Sequence, residues 1–293
     1  MKKLLAFFLI TSILLFSGCS NTGKSCDIVA TTLPVYDFTS MLCDGTDLSI
    51  GRLITENVSC LHDYTLNVSQ MRMIENAEMI VISGAGLEDF LDDALSGSQL
   101  IADASVNAHL HTGTHDHHED DHDHAHNHTQ DPHIWLSTEN AATMVTAIYN
   151  ALVERFPEYS DVFKANHDIT LEKLLQLQTY GQEQLSNIRC RELVTFHDGF
   201  AYFAECFDLA ILRAIEEESG SEASAKEIIE LVQLVDEYDL PAIFTEKSGS
   251  TACAEIVSAE TGLPIYTLDM AMAGESYFDA MYHNIDTIKE SLK

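Results

Sequence analysis

Short apolar runs alternate with helically spaced apolar positions along most of the chain. Asp27 to Thr32, Leu48 to Ile54, Met79 to Ser83 and Gln99 to Asp103 are apolar and rich in β-branched residues, and they read as strands. Between them, Pro34 opens a helix toward Leu42, Ser69 to Ala77 has helical spacing with Ser as its N-cap, and Leu87 to Leu95 continues the helical pattern. Helical periodicity resumes from Thr138 to Phe156. Pro157 then begins a longer run through Ser186, whose roughly 30 residues would extend about 45 Å as one helix. The alternation restarts with strands at Leu193 to Phe196, Leu209 to Ala214, Pro241 to Thr245 and Pro264 to Leu268. Helices at 199–207, 223–238, 250–261 and 277–292 separate and follow them. Strands regularly separated by helices indicate parallel sheets. The expected fold is therefore α/β, with two lobes, each a parallel four-stranded sheet flanked by helices, joined by one long rigid helix. No sequence repeat relates the lobes.

Length and composition fit that division. With 293 residues, 46% of them hydrophobic, the chain has room for one large domain or two lobes of about 100–150 residues. The expected boundaries are an N-terminal lobe at 27–156, a linking helix at 157–187 and a C-terminal lobe at 188–293. The formal net charge of −32 excludes nucleic acid as a partner, since phosphate recognition needs a basic face. Lys2, Lys3 and the apolar stretch Leu4 to Phe16 read as an export signal, too short to span a membrane. Leu15-Phe16-Ser17-Gly18-Cys19 resembles a bacterial lipobox. This predicts a signal peptide at 1–18, lipidation of Cys19, and a polar tether at 19–26. Six other cysteines follow, none in a CxxC pair, so a thiolate metal site is not indicated.

Residues 109–128 interrupt the alternation. They hold nine of the 14 histidines (His109, His111, His115, His117, His118, His122, His124, His126 and His128) with acidic residues interleaved. Leu110 and Ala125 are the only apolar residues there, so the stretch cannot pack a core and reads as a solvated loop. Imidazole is a good ligand for borderline ions such as Zn²⁺, Cu²⁺ and Ni²⁺, which suggests weak, exchanging auxiliary sites. Outside the loop, His133 follows it directly, His197 ends a predicted strand, and His62 lies in the connection after the second strand. Ends of strands are where α/β proteins place ligands. His167 and His283 fall within predicted helices and read as surface or packing residues.

These segments carry a resemblance. DPHIWLSTENA, TFHDGFAYFAECFDL, EASAKEIIELVQLVDEYDLPAIFTE and the C-terminal IYTLDMAMAGESYFDAMYHNIDTIKESL are similar to the corresponding segments of the zinc and manganese substrate-binding proteins of ABC importers, the ZnuA/TroA-like group. The likeness covers nearly the whole chain after the tether. It implies a metal site of His62, His133, His197 and Asp269 between two lobes, with hinge motion limited by the linking helix. His62 sits in SCLHDYTLNVSQ, which lacks the Pro and Glu usual in the group, and Met270 stands beside Asp269 where Pro is common. Three imidazoles and one carboxylate suit tetrahedral Zn²⁺, whereas manganese sites prefer more oxygen. The expected role is extracytoplasmic capture of Zn²⁺ by a monomeric, lipid-anchored protein that delivers it to an ABC permease and its ATPase. The alternatives are a manganese- or iron-binding homologue, and a zinc-buffering or adhesin lipoprotein. A zinc hydrolase is disfavoured: there is no HExxH motif, and Glu205 and Glu246, the conceivable bases, read better as helix and strand-end residues.

Overall fold

The computed structural model describes residues 26–56, 61, 64–91, 94–95, 100–111, 130–216 and 224–293. Strands β1 (Ile28–Ala30), β2 (Ile50–Arg52), β3 (Met79–Ile82) and β4 (Leu100–Asp103) form a parallel sheet in the order β2-β1-β3-β4. Strands β5 (Glu192–His197), β6 (Ala210–Glu216), β7 (Ile243–Glu246) and β8 (Ile265–Leu268) form a second parallel sheet in the order β6-β5-β7-β8. Counted from its own first strand, each sheet has the same order. The lobes thus share a topology that their sequences do not display. Residues of β1, β3, β5 and β7 are buried almost throughout, and β1 (IVA) and β3 (MIVI) are accordingly continuous apolar runs rather than alternating ones.

Among the described residues, eight α-helices cover the sheets: α1 (Leu33–Leu42), α2 (Val68–Asn76), α3 (Thr138–Arg155), α4 (Ser160–Gln184), α5 (Ala201–Cys206), α6 (Ala225–Tyr238), α7 (Ala252–Thr261) and α8 (Tyr277–Ser291). The starts of α1, α3, α6 and α8 follow from their end chemistry. Pro34 occupies the first turn of α1, Ser137 caps α3, and Ser276 caps α8. Ser224 and Glu227 form a reciprocal capping box at α6.

Three elements differ from the sequence expectation. The cap of α2 is Asn67, not Ser69: its side chain accepts from the backbone of Ser69 and Gln70, and Gln70 reaches back to the Asn67 N–H. The helix expected over Leu87 to Leu95 is reduced to a 3₁₀ turn at Asp89–Leu91, with Asp92 and Asp93 outside the described residues. Here the Glu88 carboxylate turns inward and accepts from the backbone of Ser83 and Gly84, tying the segment into a turn. The long helix begins at Ser160 after a separate 3₁₀ turn at Pro157–Tyr159. Proline pushes the residue before it out of the helical region, and Phe156 has ψ 62°. The helix has 25 residues and spans about 37 Å, packing on α1, α3 and α8.

One apolar core runs through both lobes, from Ile28 and Val81 through Trp135 and Leu177 to Phe244 and Ile285. A smaller cluster around Val194, Leu231 and Val257 sits beneath α6 and α7. Polar bonds cross between the lobes as well. Trp135 Nε1 donates to the Met270 carbonyl at 2.8 Å, and the Tyr277 hydroxyl donates to the Trp135 carbonyl at 2.8 Å. The Tyr277 N–H donates to Asp37, and Arg52 to the Gly274 carbonyl. Among the described residues, Cys26, Cys43, Cys190, Cys206 and Cys253 form no disulfide. Burial pushes the Cys43 thiol up to about 12, leaving it unreactive. Cys19 and Cys60 lie outside the described residues, and no described helix is long and apolar enough to cross a membrane.

Candidate metal centre

In the second sheet the chain leaves β5 for β6 on one side and later adds β7 on the other. The gap between β5 and β7 is therefore the topological switch point, and ligands of parallel sheets bind outside the carboxyl ends of strands there. His197 is the last residue of β5, Glu246 the last of β7, and Asp269 the first after β8. All three are buried. From the other lobe comes His133, which immediately precedes the 3₁₀ turn Ile134–Leu136.

His133 and His197 meet edge to face, with ring centroids 5.3 Å apart and planes at 86°. Each imidazole has a carboxylate at its Nδ1. Asp131 Oδ1 lies 2.7 Å from His133 Nδ1 and also accepts the His133 backbone N–H at 2.9 Å, so ring and main chain are fixed by one oxygen. Glu246 Oε2 lies 3.7 Å from His197 Nδ1. The carboxylate hydrogen-bonded at His133 Nδ1 sets the tautomer that turns Nε2 toward a metal and makes it a better donor, whereas Glu246, beyond hydrogen-bond distance, acts on the His197 ring through its charge. Gly199 also shapes the site, because a Cβ there would fall 2.8 Å from the His197 ring and 2.5 Å from the Met270 methyl.

Asp269 is anchored by Asn284, which accepts its N–H and donates to its carbonyl, both at 2.7 Å. Its Oδ1 accepts the N–H of Ala271, a residue held at φ 56°, and its Oδ2 accepts from Lys247 Nζ at 3.0 Å. With the carboxylate so engaged, His133, His197 and Asp269 do not form a set of ligand atoms within 4.8 Å of one another; among the described residues His109, His111 and Glu205 do. His62, His115, His117, His118, His122, His124, His126 and His128 lie outside the described residues. His167 lies tilted against the Tyr149 ring with Nε2 3.2 Å from the Thr146 hydroxyl, and His283 Nε2 donates to the Thr267 carbonyl at 3.1 Å.

Sequence reasoning overlooked Asp131, the positioning role of Glu246, and Lys247. Asp131 carried a usable signal, two residues before a histidine that follows a proline. Glu246 carried a weaker one, an acid ending a strand beside the switch point. Lys247 carried none, since its partner is remote in the chain.

The family model for the periplasmic component A of the zinc-uptake complex matches residues 28–291. The manganese-binding lipoprotein MntA of Halalkalibacterium halodurans is 27% identical over 311 residues, covering 100% of this chain and 99% of that protein. The zinc-binding protein AdcA of Streptococcus pyogenes is 29% identical over 285 residues, covering 89% of this chain and 55% of that longer protein. A crystal structure of ZnuA superposes with a TM-score of 0.80 at 24% identity, covering 92% of this chain and 100% of that one, which is a likeness of fold. With its family model matched almost from end to end, this chain belongs to the ZnuA family, the metal-binding substrate-binding components of ABC metal-uptake systems, which are not enzymes.

Proposed function

We propose that this protein captures Zn²⁺ outside the cytoplasmic membrane, anchored through a lipid on Cys19, and delivers it to an ABC permease and its ATPase. The observation that carries the reading is the pair of imidazoles, His133 and His197, one from each lobe, each backed by a carboxylate. On this reading residues 27–156 and 188–293 are the two lobes, 157–187 link them, and His62 and Asp269 complete the ligand set. The set is three nitrogens and one oxygen, which suits tetrahedral zinc better than manganese. Because a relative of similar identity is named for manganese, the metal has to be decided by this chain's own donors.

In this scheme the metal takes the Asp269 carboxylate from Lys247. The backbone grip of Asn284 and Ala271 holds that carboxylate in place during the exchange. Asp131 and Glu246 keep both rings oriented without touching the ion. Imidazoles drawn from two lobes make the bound metal a cross-link, and parting the lobes at the permease would remove ligands from it. The loop histidines, His109 through His128, add weak equivalents that raise the local zinc concentration.

Chelator-competition titration of the full chain tests the assignment. One tight zinc step is expected, with manganese bound more weakly. His133→Ala and His197→Ala should each abolish the tight step and leave the weak ones. If either variant keeps wild-type tight affinity, the ligand set is wrong. If manganese matches or outcompetes zinc at the intact site, the zinc reading fails and the manganese reading replaces it.

A further inference from the structure

Away from His133 and His197, a second group of ligating side chains converges where the two lobes meet. His109 and His111 precede residues 112–129, and Glu205 lies on α5 of the other lobe. One ligand atom from each lies within 4.8 Å of those from the other two. His111 Nε2 and Glu205 Oε2 are 2.6 Å apart, and the two histidine rings have centroids 5.5 Å apart. A His111–Glu205 hydrogen bond alone would account for two of these groups. It would not account for the His109 ring standing within reach of both.

The main chain carrying the histidines is held from both sides. Asn140 Oδ1 accepts the His109 N–H at 2.8 Å, and its amide donates to the His109 carbonyl at 2.9 Å. The buried Tyr202 hydroxyl accepts the His111 N–H at 2.9 Å, and the Tyr202 ring stacks on the His111 ring at 4.1 Å. That hydroxyl also donates to the carbonyl of Asp131, the residue whose carboxylate holds His133. Tyr202 and Glu205 are both on α5, so one short helix supplies the clamp and the third ligand. Ligands on a fixed backbone lose little freedom on binding.

We propose that His109, His111 and Glu205 form a second, preformed site for a divalent ion of the zinc class, joining the entry of the His-rich segment to the C-terminal lobe. Two imidazoles and one carboxylate leave a coordination position for water, and the exposure of His109 and Glu205 allows the ion to exchange. Hydrogen bonds from His111 to Tyr202, from Tyr202 to the Asp131 carbonyl and between the Asp131 carboxylate and His133 connect the site to the His133 ring. An ion held there sits at the start of the His-rich segment, on main chain that Asn140 and Tyr202 already hold.

Crystals of the full chain grown with excess Zn²⁺, with diffraction recorded on both sides of the zinc absorption edge, test this. An anomalous peak among His109, His111 and Glu205 is expected. Glu205→Gln should lose that peak, because the amide is a poor ligand, while Glu205→His should keep it by restoring a donor. Glu205 is exposed, so neither change disturbs packing. No peak there under zinc excess, or a peak that persists in Glu205→Gln, overturns the proposal. The tight titration step at His133 and His197 should be unchanged in both variants, so the two proposals succeed or fail independently.

Discussion

Asp269 is gripped from three directions: by Asn284 at its backbone, by the Ala271 N–H at one carboxylate oxygen, and by Lys247 at the other. The first two contacts are compatible with a metal ligand, because they orient the carboxylate without neutralising it. Lys247 is different: its ammonium is a cation on the oxygen that the metal is proposed to take, and the two compete for the same charge. The lysine side chain is 58% exposed, and ion pairs that open to solvent are worth about 1 kcal/mol or less. Lys247→Ala should therefore tighten zinc binding, by no more than about fivefold. Chelator competition reads this directly. Unchanged or weaker binding would mean that Lys247 does not oppose the metal.

At the scale of elements, Glu88 ties together the ends of β1 and β3. Its Oε1 accepts from the Thr31 hydroxyl at 2.6 Å and the Ser83 N–H at 2.7 Å, and its Oε2 from the Gly84 N–H at 2.9 Å. Burial nevertheless dominates these bonds and pushes the carboxyl up to about 7 from an ordinary 4.5. The folded state thus holds a proton that the unfolded chain releases between those values. Stability should fall as pH rises from 4.5 to about 7, and Glu88 should contribute no further change above that. The contribution is on the order of 3 kcal/mol. Urea unfolding of metal-free protein across this range, compared with Glu88→Gln, isolates it. The variant should be destabilised at low pH, where an amide fits the three donors poorly, and should lack the wild-type decline. Equal slopes in the two proteins would show that Glu88 titrates normally.

Across the whole molecule, the larger apolar core shared by both lobes, the α4 strut and the bonds around Trp135 and Tyr277 hold the lobes together. A metal bound by groups from both lobes adds to that cohesion only in the folded state. At free zinc a thousandfold above Kd, stability should rise by about 4 kcal/mol. Calorimetry should show the main unfolding transition displaced upward by zinc and restored by EDTA. A melting temperature indifferent to both would argue against a native site bridging the lobes. Because the core is continuous, uptake and release are expected to involve limited parting of the lobes rather than wide opening.

The sequence by itself determined the elements, since the burial that makes a strand or helix is written in the spacing of neighbouring residues. Apolar, β-branched runs marked the strands, and Pro34 marked a helix start. Its motifs also carried the family and nominated His133, His197 and Asp269. Local spacing was insufficient where another part of the fold intervened. Asn67 displaced Ser69 as cap because Gln70 could close the box on it, and the inward turn of Glu88 cut short a segment whose own pattern is helical. Only the tertiary structure decided which charges share a site. Glu246 meets His197 because β5 and β7 are neighbours, and Lys247 reaches Asp269 because β7 and β8 pair. Glu205 meets His111 across 94 residues. Such contacts follow from strand order and from the docking of one lobe on the other, and neither leaves a periodic trace in the chain.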